Sequence, residues 1–289
     1  MKCEHLRFRK TNAMMNNILV PVDFSDTAAN AVRYALQFAA RQGRPSIKVV
    51  YVFMPQVDSE YPNFIPPMTA FSKLRHQMLD EFIAGIENTG AVSGVAIEKE
   101  VWVGFPADEI IKHSHEQDLI IMGTTGEGGI LNKVFGSVSS AVAQRADCPV
   151  ILVPTEADFK PIHHILYASH YEAADQRMVA QLLEFNRAFK AHIHFVHVRD
   201  AGSDRFTQEK EGIFSTLFAG GEPSFAFEIA ELEADSVAEA LNEYAEQHHT
   251  ELVVLVTRRR NLWEQLFHKS QTRNMARITR KPVMVLHLN

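Results

Sequence analysis

The chain has 289 residues, 46% of them hydrophobic and 22% charged, which is the composition of a folded protein with one large or two medium domains. The formal net charge of −6 argues against the broadly basic surface of a nucleic-acid-binding protein, and no apolar run approaches the ~18 residues that span a bilayer. Two cysteines cannot make a disulfide framework, so we expect a reduced, cytoplasmic setting.

Residues 1–16 are basic but lack the apolar core of a secretory signal peptide, and we expect them to form a poorly ordered leader. From residue 17 onward, unbroken Val/Ile/Leu runs alternate with amphipathic segments. Strands buried on both faces have such runs, and their alternation with helices predicts a parallel sheet. In the first half we predict strands near 17–22, 47–53, 97–103, 118–122 and 149–153, and helices near 26–42, 68–88, 106–116 and 137–146.

The same unit is written a second time. The strand–helix–strand segment around Ile18 has a counterpart around Ile165, at an offset of 147 residues. The closing strands CPVILVP and KPVMVLHL match at an offset of 133 residues, so the second copy is about 14 residues shorter. We therefore predict an α/β protein of two tandem five-stranded parallel doubly wound (Rossmann-like) domains, 17–155 and 163–289, joined through the polar segment PTEADFKP.

Two features of the first copy fall where such sheets bind ligands, at the carboxyl ends of the strands near the switch in strand order. Asp23 ends the first strand, and the stretch GTTGEGGILNKVFGSVSS, 123–140, follows the fourth. This stretch holds five of the 14 glycines, yet it matches neither G-x-x-x-x-G-K-[ST] nor G-x-G-x-x-G.

The glycines and the start of the following helix predict a phosphate cradle. Gly123 and Gly126 allow close backbone approach and positive φ. Gly136 and Ser137 open a helix whose free N–H groups and dipole favour an anion, and Ser137 is a good N-cap residue that can turn its hydroxyl to phosphate. The alternatives are a mobile surface turn for the glycines and a helix N-cap for Asp23.

The spacing Gly123-x-x-Gly126, nine residues, then Gly136-Ser137 resembles the ATP-binding signature of universal stress proteins. ILVPVDFSD and CPVILVP resemble the opening and closing strands of that family. The resemblance covers essentially the whole chain as a tandem, two-domain member.

The resemblance implies an ATP pocket in the first copy. Asp23 would be polar toward the nucleoside, Val52 would end the second strand and offer backbone groups to adenine, and Met122 would pack near it. The glycines would wrap the ribose and phosphates. The implied pocket residues are Pro21, Asp23, Val52, Met122, Gly123, Gly126, Gly136, Ser137 and Val138. Mg²⁺ is a reasonable companion of the phosphates, although no carboxylate cluster marks its site.

The second copy departs from this pattern, since larger side chains stand where a backbone must approach the ligand. We therefore expect ATP in the first domain only. The replacements are Ala168 for Pro21, His170 for Asp23, Val256 for Gly123, Arg259 for Gly126 and Lys269 for Gly136, while Ser270 remains.

The second copy is also rich in histidine, and imidazole is a common zinc ligand. There is no H-x-x-x-H or C-x-x-C spacing, however, so the pattern favours scattered structural or surface histidines and we assign no metal ligand. The residues in question are His163, His164, His170, His192, His194 and His197.

For function, the resemblance implies a non-enzymatic, nucleotide-binding regulator or scaffold of the stress response, with unidentified protein partners. No motif marks a catalytic residue, so we expect weak ATP hydrolysis at most. The alternatives are a weak ATPase with the same pocket, or a metal-binding or scaffold protein that acts through the second domain.

Members of the family commonly dimerise through the last strand. Here PVILVP and PVMVLHL can pair inside one chain, which covers two edges that would otherwise be exposed. We expect an intramolecular pseudo-dimer of the two domains, and a homodimer of whole chains stays open.

Overall fold

The computed structural model describes residues 15–43, 46–54, 68–88, 94–124, 136–169, 176–199, 206–219, 221–234, 237–257 and 280–287. The predicted leader lies outside these residues except for its last two. Within the described part of the chain, no helix is both long and apolar enough to cross a bilayer.

The first half follows the predicted alternation of strands and helices. Its elements are β1 (Asn17–Val22), α1 (Asp26–Arg41), β2 (Ser46–Phe53), α2 (Met68–Glu87), β3 (Ile97–Val103), α3 (Pro106–His113), β4 (Leu119–Gly123), α4 (Ser137–Arg145) and β5 (Val150–Val153). The predicted helix 106–116 is divided, because α3 ends at His113 and Ser114–Glu116 form a 3₁₀ turn. The other elements agree with the prediction to within one residue at each end.

The second half repeats the alternation. Its described elements are β6 (His164–Ser169), α5 (Gln176–Asn186), β7 (His192–Arg199), α6 (Phe206–Leu217), β8 (Phe227–Glu233), α7 (Val237–Gln247), β9 (Leu252–Thr257) and β10 (Val283–His287).

All ten described strands form a single sheet in the order β3-β2-β1-β4-β5-β10-β9-β6-β7-β8. Within each half the five strands are parallel, and each half has the same order, with its first strand in the middle. That order is the doubly wound one, in which two connections run one way from the first strand and two run the other way. The predicted fold class is confirmed.

The halves meet along their closing strands. β5 pairs antiparallel with β10, with Leu152 opposite Val283 and Val150 opposite Val285. At the end of β10, the His287 Nε2–H donates a hydrogen bond of 2.7 Å to the Ala143 carbonyl oxygen in α4. The two closing strands thus pair within one chain, as predicted from their sequences, and neither is left as an exposed edge.

Two apolar layers cover the sheet, and each runs across both halves. One layer contains Ile18 of β1 and packs against α1, α2, α5 and α6. The other contains Leu19 of β1 and packs against α3, α4 and α7. Successive residues of a strand point to opposite faces, so a strand covered on both sides must be apolar throughout, which explains the unbroken apolar runs.

Candidate functional site

The strand order of the first half reverses between β1 and β4. These strands are neighbours, with Ile18 opposite Leu119 and Leu19 opposite Ile120, whereas β2 lies on the other side of β1. Their carboxyl ends are therefore side by side, and they bring Asp23 close to Gly123. The structure thus has the crevice in which doubly wound sheets bind ligands.

Asp23 is held in place by the start of α1. Its Oδ1 accepts hydrogen bonds from the Ser25 N–H at 3.2 Å and from the Ser25 hydroxyl at 2.6 Å. Ser25 is the N-cap of α1, since its Oγ accepts a hydrogen bond from the Ala28 N–H at 3.2 Å. Phe24 makes the turn between strand and helix with a φ of 66°, and its ring lies 4.4 Å from that of Tyr51 at an interplanar angle of 33°. The alternative role of N-cap thus belongs to Ser25, and Asp23 orients the cap.

The N-terminus of α4 lies against the end of β4. The Gly136 N–H donates a hydrogen bond of 2.8 Å to the Thr124 carbonyl oxygen, and the Ser139 hydroxyl donates one of 2.7 Å to the same oxygen. Gly136 is the N-cap, and among the described residues no side chain caps the helix. The prediction that Ser137 is the N-cap is wrong, because Ser137 is the first helical residue and its side chain is exposed.

Gly123 has a packing reason to be glycine. A Cβ at this position would lie 2.8 Å from Thr27 Cγ2 and 3.1 Å from the Thr27 backbone carbon. Gly123 does not have the positive φ that the sequence analysis allowed for it. The residue lets α1 approach the end of β4, so its presence does not depend on a ligand.

The apolar residues of the predicted pocket form its floor. Pro21, Val52 and Met122 are buried, and the last two belong to the core layer beneath α3 and α4, against which Val138 packs. Val52 is the penultimate residue of β2, not its last. Because Val22, the last residue of β1, lies opposite Tyr51, β2 continues past the end of β1 from Val52 onward. The side chains of the floor residues are occupied in the core, and only Val52 lies beyond the paired part of β1, where its main chain can face a ligand.

Several predicted positions lie outside the described residues. These are Gly126 in the first half and His170, Arg259, Lys269 and Ser270 in the second. Of the replacements in the second half, Ala168 is buried and Val256, the counterpart of Gly123, packs against the core layer of α5 and α6. A side chain therefore fills the place where the first half has only a backbone.

Hydrogen bonds that were not predicted from the sequence fix α1 beside this crevice. The hydroxyl groups of Thr27 and Thr155 are 2.6 Å apart, and Asn30 Nδ2 donates to the carbonyl oxygens of Pro154 and Ala157 at 2.9 Å each. These bonds tie the first turns of α1 to the segment after β5. The sequence signal for these bonds was the pair of polar residues Thr27 and Asn30, one turn apart on the largely apolar helix α1.

A second polar group lies at the amino ends of β6 and β7. His164 and His192, the first residues of these strands, are opposite each other in register, and His194 follows on the same face of β7. His164 Nδ1 and His194 Nε2 are 3.0 Å apart, and the rings of His192 and His194 are stacked at 4.4 Å. The prediction of scattered histidines is therefore wrong for these three. His163 is exposed, and His197 lies on the opposite face of β7.

Three more residues complete this group: Glu228 of β8, Tyr244 of α7 and His248, which directly follows α7. Glu228 Oε1 accepts hydrogen bonds from His194 Nδ1 at 2.6 Å and from the Tyr244 hydroxyl, and it lies 3.6 Å from His248 Nδ1. Burial alone would raise the pKa of Glu228, but the hydrogen bonds from Tyr244 and His194 outweigh it and the pKa is lowered. Burial lowers the pKa values of His192 and His194.

The sequence model described as "Universal stress protein family" matches residues 14–154 and again residues 161–287. A universal stress protein of Methanocaldococcus jannaschii is 29% identical over 150 residues, 50% of this chain and 85% of that protein. The universal stress protein YxiE of Bacillus subtilis is 31% identical over 148 residues, 48% of this chain and 99% of that protein.

A solved structure is similar along almost the whole chain. It is a universal stress protein from Archaeoglobus fulgidus with a TM-score of 0.67, and it covers 94% of this chain and 98% of its own at 18% identity, so the likeness concerns the fold. Since the family model matches both halves in succession, the chain belongs to the universal stress protein family as a tandem, two-domain member.

Proposed function

We propose that the first domain binds an adenine nucleotide, ATP, in the crevice between β1 and β4. We further propose that the chain acts as a non-enzymatic regulator or scaffold of the stress response. The observation that carries the proposal is the start of α4, which lies at this crevice with a glycine N-cap and no side-chain cap among the described residues. The first N–H groups of a helix have no intrahelical partners and attract anions.

The phosphates would lie at this helix end. The N–H groups of Ser137 and Val138 are the first two of α4, and the exposed Ser137 side chain can add its hydroxyl. The Ser139 hydroxyl is engaged elsewhere, since it bonds to the carbonyl oxygens of Thr124 and Gly136. The geometry thus suits an anion that accepts hydrogen bonds from main-chain groups.

The nucleoside would lie over the pocket floor. Asp23 stands at the edge of the crevice with its carboxylate oriented by Ser25, in reach of a ribose or base donor. Val52 would offer main-chain groups to the base from the part of β2 that continues past β1, and Met122, whose main chain pairs with β5, would pack near it. Gly126 is assigned to the phosphates by the resemblance alone.

A binding role is favoured over catalysis. Asp23 Oδ1 is engaged by two hydrogen bonds from Ser25 at the start of α1, which supports a role in positioning. Mg²⁺ would accompany the phosphates through their own oxygens and water. In the second domain, Val256 occupies the place of Gly123, and we propose that this domain binds no ATP.

The test starts with the full chain purified without added nucleotide. Denaturation and mass spectrometry identify any released nucleotide, and calorimetry then measures ATP binding to the emptied protein. We expect about one adenine nucleotide per chain. Gly136→Asp supplies the missing cap and a negative charge, so it is expected to weaken ATP binding at least about tenfold while the helix stays folded.

The matched control is Phe105→Asp. Phe105 is the exposed N-cap of α3, which also lacks a side-chain cap, so this variant adds the same charge at another helix start. ATP affinity should then stay within about twofold of the original. Absence of any nucleotide binding, or equal affinity of the Gly136→Asp variant and the original chain, would refute the proposal.

A further inference from the structure

Three imidazoles converge at the amino edge of the second domain. One ring nitrogen from each of His164, His192 and His194 lies within 4.8 Å of the others. Two nitrogens bound to one tetrahedral zinc ion are about 3.3 Å apart, given Zn–N bonds of about 2.0–2.1 Å. The 3.0 Å between His164 Nδ1 and His194 Nε2 is close to that spacing, so small side-chain movements suffice to admit an ion.

A ring nitrogen of His192 lacks a hydrogen-bond partner among the described residues. His192 Nε2 is buried and makes no hydrogen bond to any described residue. Buried polar atoms are nearly always satisfied, so an unsatisfied one beside two other imidazoles requires an explanation. A bound cation supplies it, because the lone pair of a neutral imidazole nitrogen is a metal ligand.

The His194 ring is fixed in the orientation that a ligand needs. A carboxylate oxygen accepts hydrogen bonds, so His194 Nδ1 donates the 2.6 Å hydrogen bond to Glu228 Oε1 and His194 Nε2 is left with its lone pair. Tyr244 also donates to Glu228 and holds the carboxylate in place. A carboxylate behind a histidine in this way orients the ring and raises its basicity toward a metal.

We propose that His164, His192 and His194 bind one divalent transition-metal ion of the zinc class, with Glu228 as the residue that positions His194. Imidazole ligands select zinc, copper or nickel over magnesium and calcium, which prefer oxygen. His164 moves its proton from Nδ1 to Nε2 when Nδ1 binds the ion, so binding needs no net loss of a proton. His164 and His192 are partly exposed, which gives the ion a path from solvent.

In a competing arrangement, the ion would be bound by His194, Glu228 and His248, on the side of the His194 ring that faces Glu228. His194, Glu228 and His248 also bring ligand atoms within 4.8 Å of one another. In that arrangement the ion would replace the hydrogen bonds that Glu228 accepts from His194 and Tyr244. The proposal therefore distinguishes His164, a ligand, from His248, which is not one.

The experiment is a calorimetric titration of ZnCl₂ into the untagged full chain after removal of metal by a chelator, because a histidine tag would bind the same ion. We expect one equivalent of zinc and no binding of MgCl₂ under the same conditions. His164→Ala and His192→Ala should each weaken zinc binding at least about tenfold, and Glu228→Gln about 10–100-fold through the orientation of His194.

Two controls make the result specific. His163→Ala removes an adjacent, exposed imidazole and should leave zinc affinity within about twofold. His248→Ala removes the competing ligand, and because His248 lies on the Glu228 side of the group, it should weaken zinc binding less than His164→Ala does. A rise in the melting temperature of the original chain with ZnCl₂ but not MgCl₂ tests binding without any substitution. The proposal is overturned if zinc does not bind, if His163→Ala weakens binding as much as His192→Ala, or if His248→Ala weakens it and His164→Ala does not.

Discussion

The two domains have the same strand order, but their distinctive polar groups lie at opposite ends of their strands. In the first domain the carboxyl ends carry Asp23 and the start of α4 with its glycine N-cap, whereas the amino ends carry an ordinary ion pair between Lys48 and Glu100. In the second domain the amino ends carry the histidine group, and Val256 fills the carboxyl end.

The registers make this comparison direct. Lys48 of β2 lies opposite Glu98 of β3, and His194 of β7 lies opposite Glu228 of β8. The same place in the fold thus holds a nitrogen donor beside a carboxylate in both domains, but only the second adds imidazoles around it. The two copies therefore share the apolar core of the sheet, but they carry their distinctive polar groups at opposite ends of the strands.

The largest expected effect concerns the close approach at Gly123. Gly123→Ala places a Cβ 2.8 Å from the Thr27 side chain and 3.1 Å from its backbone, so we expect the free energy of unfolding to fall by about 1–3 kcal/mol. Urea denaturation followed by circular dichroism measures it. The control is Gly85→Ala in α2, where a Cβ meets nothing within 4 Å and where alanine should stabilise the helix by up to about 1 kcal/mol. Equal effects at the two sites would mean that α1 can shift away from β4 at little cost in free energy. The second domain already accommodates a larger side chain, Val256, at the corresponding position.

The next effect depends on pH and concerns the seam between the domains, where β5 pairs with β10 and His287 bonds to Ala143. Burial lowers the pKa of His287 below its ordinary value of 6.5, although its bond to Ala143 opposes the shift. Between the two pKa values the unfolded chain binds more protons at His287 than the folded chain does. The contribution of neutral His287 to the free energy of unfolding is therefore fully present above pH 6.5 and is lost as the pH falls through 6.5 toward the folded-state pKa. His192 and His194 shift in the same direction. The slope is at most about 1.4 kcal/mol per pH unit for each group.

His287→Gln isolates the contribution of the seam. The glutamine amide can still donate to Ala143 but does not titrate, so the fall in stability between about pH 7.5 and about pH 5.5 should be shallower. Urea denaturation at several pH values gives the slopes, and His163→Gln, at an exposed site, controls for the substitution itself. An unchanged slope would assign the pH dependence to the second-domain histidines instead.

The smallest effect concerns the ion pair of the first domain. Lys48 Nζ lies 2.6 Å from Glu100 Oε1, but both side chains are about a third exposed, and such pairs contribute about 0–1 kcal/mol. A double-mutant cycle with Lys48→Met and Glu100→Gln should give a coupling energy below about 1 kcal/mol that declines with added salt. A larger, salt-independent coupling would show that this end of the first domain is also a specialised site.

The strands, helices and the pairing of β5 with β10 could be predicted because each depends on a local pattern. Unbroken apolar runs mark strands covered on both faces, and two matching closing strands predict a shared seam. Even the error at α3 is local, since the last turn tightens into a 3₁₀ turn at Ser114, whose hydroxyl bonds back to the Ile111 carbonyl oxygen.

The sites were harder to predict because they depend on register and on close packing. His164, His194 and Glu228 are far apart in sequence and meet only because β6, β7 and β8 align in one register. No spacing rule within a single helix or loop detects such a group. The packing reason for Gly123 was likewise hidden, because the contact comes from Thr27 on another element.

The antiparallel seam also decides which way each domain faces. Because β5 and β10 run in opposite directions, the border of the sheet where strands of the first domain end is the border where strands of the second domain begin. The start of α4 and the histidine group both lie along that border, on the face covered by α3, α4 and α7. β4 and β7 are five strand positions apart, which is roughly 24 Å at about 4.8 Å per strand. A partner bound along this border would pass from one site to the other, while the filled carboxyl end of the second domain lies on the opposite border.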